Sequence, residues 1–443
     1  MKTITATALV LVLCILLSGC SFLDGSGIEG QLRPPRVTGD EEAVQEALDD
    51  YIDGDYILTY PRSGDYRAAF LMQDMNGDGV EEAVCFYRLA DSNTHVLILR
   101  QAGEKWEPID DIEGTGTDIY RVTFGDMRGD GARQLLVGWG IYNNSRDRHV
   151  IIYDVTDSGL KVMLEASAAA VFFGRVTDEA QDSLLLYRID DNTETATAIL
   201  MSWQQGILSQ QGEIALDGHI RSCGVPRLAK LADGVNGIFM EAYKDNNSTI
   251  TELVYWDEGR LNNPFYDPTT NTNTVTVREA SRNSAVVATD LNRDGAWEWP
   301  TTRRLLGYQE SEYAHSQWLT SWMRYDYTTS KPAKVMDTIV NTVDGYYLVL
   351  EPEWVGETAA TDRLTVIYDA AKHLMEVKEV QNGVAGSTVL RIAPEGWELG
   401  ELSGWETFTV SVTETASYTV SFRVKNSLGL TEARVRYMLA AWL

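Results

Sequence analysis

Positive charge is scarce in this sequence: 37 Lys and Arg stand against 65 Asp and Glu, a formal net charge of −28 over 443 residues. The acid is spread along the whole chain and no basic stripe interrupts it, which excludes a phosphate-tracking surface and with it nucleic acid as a partner. Histidine is scarcer still, and His95, His149, His219, His315 and His373 lie far apart, with no two at metal-ligand spacing. Gly-x-Ser-x-Gly, HExxH and phosphate-loop motifs are missing, so the chain reads as a non-enzyme. Acidic pairs abound, but among 65 acids a glycosidase-like couple carries no weight. Apolar runs are short. The longest, Ala8–Leu17, has ten residues where a membrane span needs about 20. Of four cysteines, Cys14 and Cys20 lie in the leader region, and Cys85 sits in the apolar stretch Ala83-Val84-Cys85-Phe86-Tyr87 as a core residue. A Cys85–Cys223 disulfide stays open as an alternative outside the cell.

What is there begins with export. Met1-Lys2, the apolar run and then Leu17-Ser18-Gly19-Cys20 read as a secretory signal. The four-residue ending resembles the bacterial lipobox, which implies cleavage before Cys20 and lipidation of Cys20. Residues 1–19 are thus expected as signal peptide. Residues 20–40 follow as lipidated cysteine and Gly/Ser/Pro-containing tether, holding what comes next roughly 25 Å from the membrane on its extracytoplasmic face.

Residues 41–337 carry a short helix and then a repeat. Asp74-Met-Asn-Gly-Asp-Gly-Val-Glu-Glu82 runs into AVCFY, and Asp126-Met-Arg-Gly-Asp-Gly-Ala-Arg-Gln134 runs into LLVGW. Fainter copies start at Asp178 and Asp233, and a sharp one spans Asp290–Glu298. Each unit continues into a strand, a turn and a second strand. Gly103, Gly159, Gly206 and Gly259 supply the positive backbone angle of four of these hairpins. Antiparallel units of this size stack radially as blades, which predicts a mainly β fold: a β-propeller of about five blades. A plain β-sandwich with repeated turns and a sixth, irregular blade remain alternatives. Ahead of the repeat, Asp40 to Tyr51 predicts a short helix with an Asp cap and Val44, Ala47 and Leu48 on one face.

The acidic turns carry the visible chemistry. In Asp-x-Asn-x-Asp-Gly-x-x-Glu, side-chain oxygens at positions 1, 3, 5 and 9 and the carbonyl at position 7 make the oxygen cage that Ca²⁺ prefers. Asp74, Asn76, Asp78, Val80 and Glu82 fill it once. Asp290, Asn292, Asp294, Ala296 and Glu298 fill it again, for two expected calcium sites. In the second copy Arg128 stands where an oxygen should, pairing with Asp126 and Asp130. In the third, Ala180, Leu184 and Leu186 fall at positions 3, 7 and 9.

This motif, repeated at blade spacing before hydrophobic strands, resembles the FG-GAP or VCBS repeats of integrin-type propellers and bacterial surface proteins. The resemblance implies calcium-stabilised blade loops and an interaction platform. The expected function is a membrane-anchored binding or scaffolding lipoprotein for a protein partner. The alternative is a carbohydrate-binding or carbohydrate-processing surface lipoprotein, since ring-lined propeller surfaces stack on sugars. Trp106, Trp203 and Trp256, in the repeated hairpins, read as core. Residues 338–443 form a small α+β domain ending in a helix capped by Thr431, with Val435, Met438 and Leu439 on its apolar face.

Overall fold

The computed structural model describes residues 39–442 except 104, 142–143, 157, 233, 245–247, 280–285, 309–316, 398 and 400–402. Cys20, the signal and most of the tether lie outside the described residues.

The protein is mainly β. Among the described residues, six antiparallel sheets of four to six strands follow one another along the chain, with one extra two-stranded pair. The strand Glu82–Leu89 shows why these segments are strands. Its alternate residues Ala83, Cys85 and Tyr87 face helix α1 (Asp40–Tyr51), while Val84 and Phe86 pack with Val122, Val137 and Trp139 of the second sheet. A period of two with both faces apolar suits a sheet covered on each side. The third sheet repeats the pattern: Leu184 and Leu186 face the second sheet, Leu185 and Tyr187 the fourth.

Further clusters join the fourth sheet to the fifth through Phe239, Tyr255, Trp299 and Tyr325, and the fifth to the sixth through Leu319, Ile339, Leu390 and Val420. The sheets therefore stack face to face in chain order. The outer face of the first sheet is covered by Val44 and Leu48 of α1, both at 0% exposure. The first sheet thus ends the row under a helix, and no closed propeller is shown. Helix α1 itself has the expected bounds, but its N-cap is Gly39, which has no side chain, rather than Asp40.

The hairpin glycines all hold positive φ: Gly103 (69°), Gly159 (120°), Gly206 (85°) and Gly259 (76°). Gln205-Gly206 and Glu258-Gly259 have φ > 0 at both central positions, the backbone that matches strand twist in two-residue hairpins. Cys85 is buried and Cys223 half-buried, and no disulfide joins them. Burial pushes the Cys85 thiol pKa well up. Trp106 is core, and Trp203 and Trp256 pack against core clusters.

The strand Lys331–Asn341 runs across position 338, where the sequence suggests a domain boundary. The fifth sheet then takes its last strand, Leu439–Ala441, from far along the chain, pairing Leu348 with Leu439. Between them lies the sixth sheet, within Leu364 to Arg423. Helix α2 (Glu432–Met438) is capped as expected: Arg434 N donates to the Thr431 hydroxyl at 3.3 Å. Leu439 belongs to the strand that follows.

In the fourth sheet, Glu252 is fully buried, accepting from Asp217 N and from Asn263 Nδ2, both at 3.0 Å. Burial, with the Asp217 charge, pushes its pKa up to about 7 against those bonds.

Candidate functional site

Each acidic turn is an eight-residue loop between paired strand ends: Gln73↔Glu82, Gly125↔Gln134 and Thr289↔Glu298. The third pairing, Gly174↔Ser183, corrects the sequence frame. Position 1 there is Arg175, three residues before Asp178, and its guanidinium donates to Ala180 O within the same loop at 2.8 Å. The fourth copy is not such a loop: Ala232 pairs with Val235 in a tight hairpin, and Asp233 lies outside the described residues.

The turns share one construction. The position-1 carboxylate captures amides of its own loop: Asp74 takes Gly77 N and Gly79 N, Asp126 takes Gly129 N and Gly131 N, and Asp290 takes Asp294 N and Gly295 N. The position-9 side chain accepts from the position-2 amide, at 2.8 Å for Glu82, 2.7 Å for Gln134 and 3.1 Å for Glu298. The position-8 amide donates to the preceding unit: Arg133 N to Met75 O, Asp182 N to Asp126 O and Trp297 N to Lys230 O.

The turns differ in how their charge is balanced. In turn 290–298, Arg324 reaches in from the neighbouring strand and ion-pairs with Asp294 at 2.7 Å and with the fully buried Glu298. Burial raises the Glu298 pKa and Arg324 pulls it back; at Asp294, burial is outweighed by the Ala296 amide and Arg324, and the pKa falls. In turn 126–134, Arg128 pairs with Asp130 at 3.0 Å and with Asp154 at 2.7 Å, not with Asp126. In turn 74–82 the residue in register with Arg324 is Arg100, one step beyond the pair Ala83↔Leu99 as Arg324 is one step beyond Trp299↔Met323. Arg100 is exposed and makes no ion pair among the described residues. Here Asn76 Nδ2 bridges Asp78 (3.1 Å) and Glu82 (2.6 Å), and burial raises the Glu82 pKa.

The two turns expected to bind calcium therefore fit it differently. Turn 290–298 already holds a cation of its own and does not fit a second. Turn 74–82 has the right donors beside a cavity of about 110 Å³ lined by Asn76, Asp78, Val80 and Glu82, and Arg100 lines it too without an ion pair among the described residues. Its carboxylates are turned onto loop amides, and among the described residues no group of three or more His, Cys, Asp or Glu is gathered as a metal cluster.

A larger cleft, about 590 Å³, opens where turn 290–298 meets the fourth, fifth and sixth sheets. Its walls include Arg227, Arg293, Arg436, Tyr347, Trp442 and, from the sixth sheet, Ser411. Asp290 is the one carboxylate among the lining residues, and both its oxygens are occupied by loop amides. Trp442 is braced against Trp322 at 6.0 Å and Tyr347 at 6.4 Å. Burial raises the Tyr347 hydroxyl's pKa, and the Arg293 charge opposes that rise. The sequence pattern of turn 290–298 points to a metal loop and by itself gives no sign of the cleft beside it. The available signal was Arg293, standing where the first two turns have Gly77 and Gly129.

No family model and no curated protein matches the chain. Solved structures similar to it include the exotype rhamnogalacturonan lyase YesX (9% identity, 77% of this chain, 73% of that one, TM-score 0.30). Others are a Bacillus licheniformis rhamnogalacturonan lyase (11%, 75% and 77%, TM-score 0.29) and Chaetomium thermophilum Sqt1 (11%, 84% and 99%, TM-score 0.28). At these scores the likeness assigns neither a family nor an activity. Among the described residues, no helix is long and apolar enough to cross a membrane.

Proposed function

We propose that the chain is a binding lipoprotein, held on the extracytoplasmic face of the membrane by lipid on Cys20, whose ligand lies in the cleft beside turn 290–298. The cleft carries this reading: about 590 Å³, concave, with rings and guanidinium groups on its walls, within the size range of small-ligand sites. Protein partners instead take broad surfaces of roughly 800 Å² a side, so a saccharide-sized ligand is favoured over the protein partner that the repeat resemblance implies. Binding without catalysis is favoured because the one lining carboxylate, Asp290, has both oxygens held by amides and is not free to move a proton. The six sheets are read as blades of an open propeller whose first blade is capped by α1. Ca²⁺ is assigned to turn 74–82 alone, with Asp74, Asn76, Asp78, Glu82 and the Val80 carbonyl as its ligands. A glycan array probed with the wild-type protein and Trp442→Ala tests the binding reading. Hits lost in the variant are expected; an array silent for both, with a protein captured by cross-linking on intact cells, overturns it in favour of a protein partner.

A further inference from the structure

The cleft has a charge opposite to that of the molecule. On a chain of net charge −28, three guanidinium groups line it against one carboxylate. Arg436 is tied to Glu432 at 2.6 Å and to Thr409 O at 2.7 Å. Arg227 and Arg293 are different: both are exposed, and among the described residues neither has a carboxylate partner. Free guanidinium forks in a concave site match carboxylates in two-point geometry.

Arg293 is also held in a costly backbone conformation. Its φ is +60°, in the left-handed region, where the equivalent residues of the first two turns are Gly77 (79°) and Gly129 (72°). Those glycines lie against the next turn: a Cβ on Gly77 would meet Ala132 N at 3.2 Å, and one on Gly129 would meet Gln181 at 3.5 Å. In turn 290–298 this flank opens onto the cleft, so a side chain fits. The loop does not need an arginine there, and a left-handed non-glycine residue that its own loop does not require points to function. Opposite it, Tyr347 and the braced Trp442 offer ring faces, and Thr289, Asn292 and Ser411 offer groups for hydroxyls.

We propose that this cleft binds an acidic saccharide: Arg227 and Arg293 take its carboxylates, and Tyr347 and Trp442 stack on its sugar rings. This rests on the binding reading above and names the ligand class for the same site.

The test titrates the full-length protein with an oligogalacturonate, a neutral cello-oligosaccharide and inorganic phosphate, read by calorimetry and tryptophan fluorescence. The uronate oligomer is expected to bind at least tenfold more tightly than the neutral one. Arg293→Gly, which places in the loop the residue two sister turns already use, is expected to fold normally and to weaken uronate binding roughly 10- to 100-fold. Trp442→Ala is expected to weaken acidic and neutral sugars together. Equal affinity for the neutral oligomer, unaffected by Arg293→Gly, overturns the acidic specificity and leaves the saccharide-binding reading standing. Phosphate that competes fully with the uronate at equal concentration overturns the saccharide in favour of a simple anion site. No heat or fluorescence change with any of the three overturns both readings.

Discussion

Turns 74–82 and 290–298 share the same pattern, Asp-x-Asn-x-Asp-Gly-x-x-Glu, and the same capture of the position-6 amide by position 1 and of the position-2 amide by position 9, yet they balance their charge by different means. In the second, Arg324 crosses from the neighbouring strand to Asp294 and Glu298. In the first, Arg100 holds the same register and lines the adjoining cavity, but among the described residues it makes no ion pair, and a neutral amide, Asn76, bridges the acids. A loop motif states which oxygens are present. The strand opposite decides whether they need an ion.

The largest effect follows from Arg324. Removing it leaves Glu298 as a buried charge without its partner, so Arg324→Met is expected to cost about 3–5 kcal/mol in urea unfolding. Arg100→Met, at the matching position, is expected to cost less than about 0.5 kcal/mol. Equal costs would break the comparison. Adding Glu298→Gln to Arg324→Met should recover most of the loss.

Glu252 sharpens the contrast as a buried carboxylate whose bonds come from an amide N–H and an asparagine, not from a guanidinium. Its folded pKa, about 7, is raised above the ordinary 4.5, so the folded state holds the proton more tightly than the unfolded one. The stability it contributes is full below about pH 4.5 and is lost as pH rises through 7. The size is on the order of 3 kcal/mol. Glu252→Gln should flatten the dependence of unfolding free energy on pH between 5 and 8; an unchanged slope would rule Glu252 out as its source.

Calcium separates the two turns directly. At about one hundred times its dissociation constant the ion adds about 2.7 kcal/mol to stability. Thermal melts should rise by a few degrees in the wild type, should not respond in Asp74→Ala, and should still respond in Asp290→Ala. An EDTA-treated protein melting unchanged would remove the metal from turn 74–82. The smallest effects come from position 4 of the two loops. Arg293→Gly should stabilise by about 1 kcal/mol by relieving a left-handed residue, and Gly77→Ala should destabilise by about 1–2 kcal/mol, since its Cβ meets backbone.

Features whose causes are local could be read in the chain. Helix α1, the hairpin glycines, the Thr431 cap and the acidic turns each depend on neighbours within a few residues. The frame of the third turn could not, because Asp178 and Asp182 before a leucine run imitate the motif while the pairing Gly174↔Ser183 sets the register. Arg324 was equally hidden, since it meets Glu298 only through strand pairing. The cleft was least legible of all: Arg227, Arg293, Tyr347 and Trp442 come from separate elements, and only the packing of three sheets brings them to one space.

The pairing of Leu348 with Leu439 makes the sixth sheet an excursion that leaves and rejoins one strand pair. Its two ends are held side by side, the arrangement by which one domain is tolerated inside another's loop. Evolution could exchange the whole excursion in one step, provided the replacement still covers Leu319 and Ile339 on the fifth sheet. Such an exchange would replace the cleft wall carrying Ser411 while keeping Arg227 and Arg293 in place, so ligand choice could diversify on a constant anion-holding half.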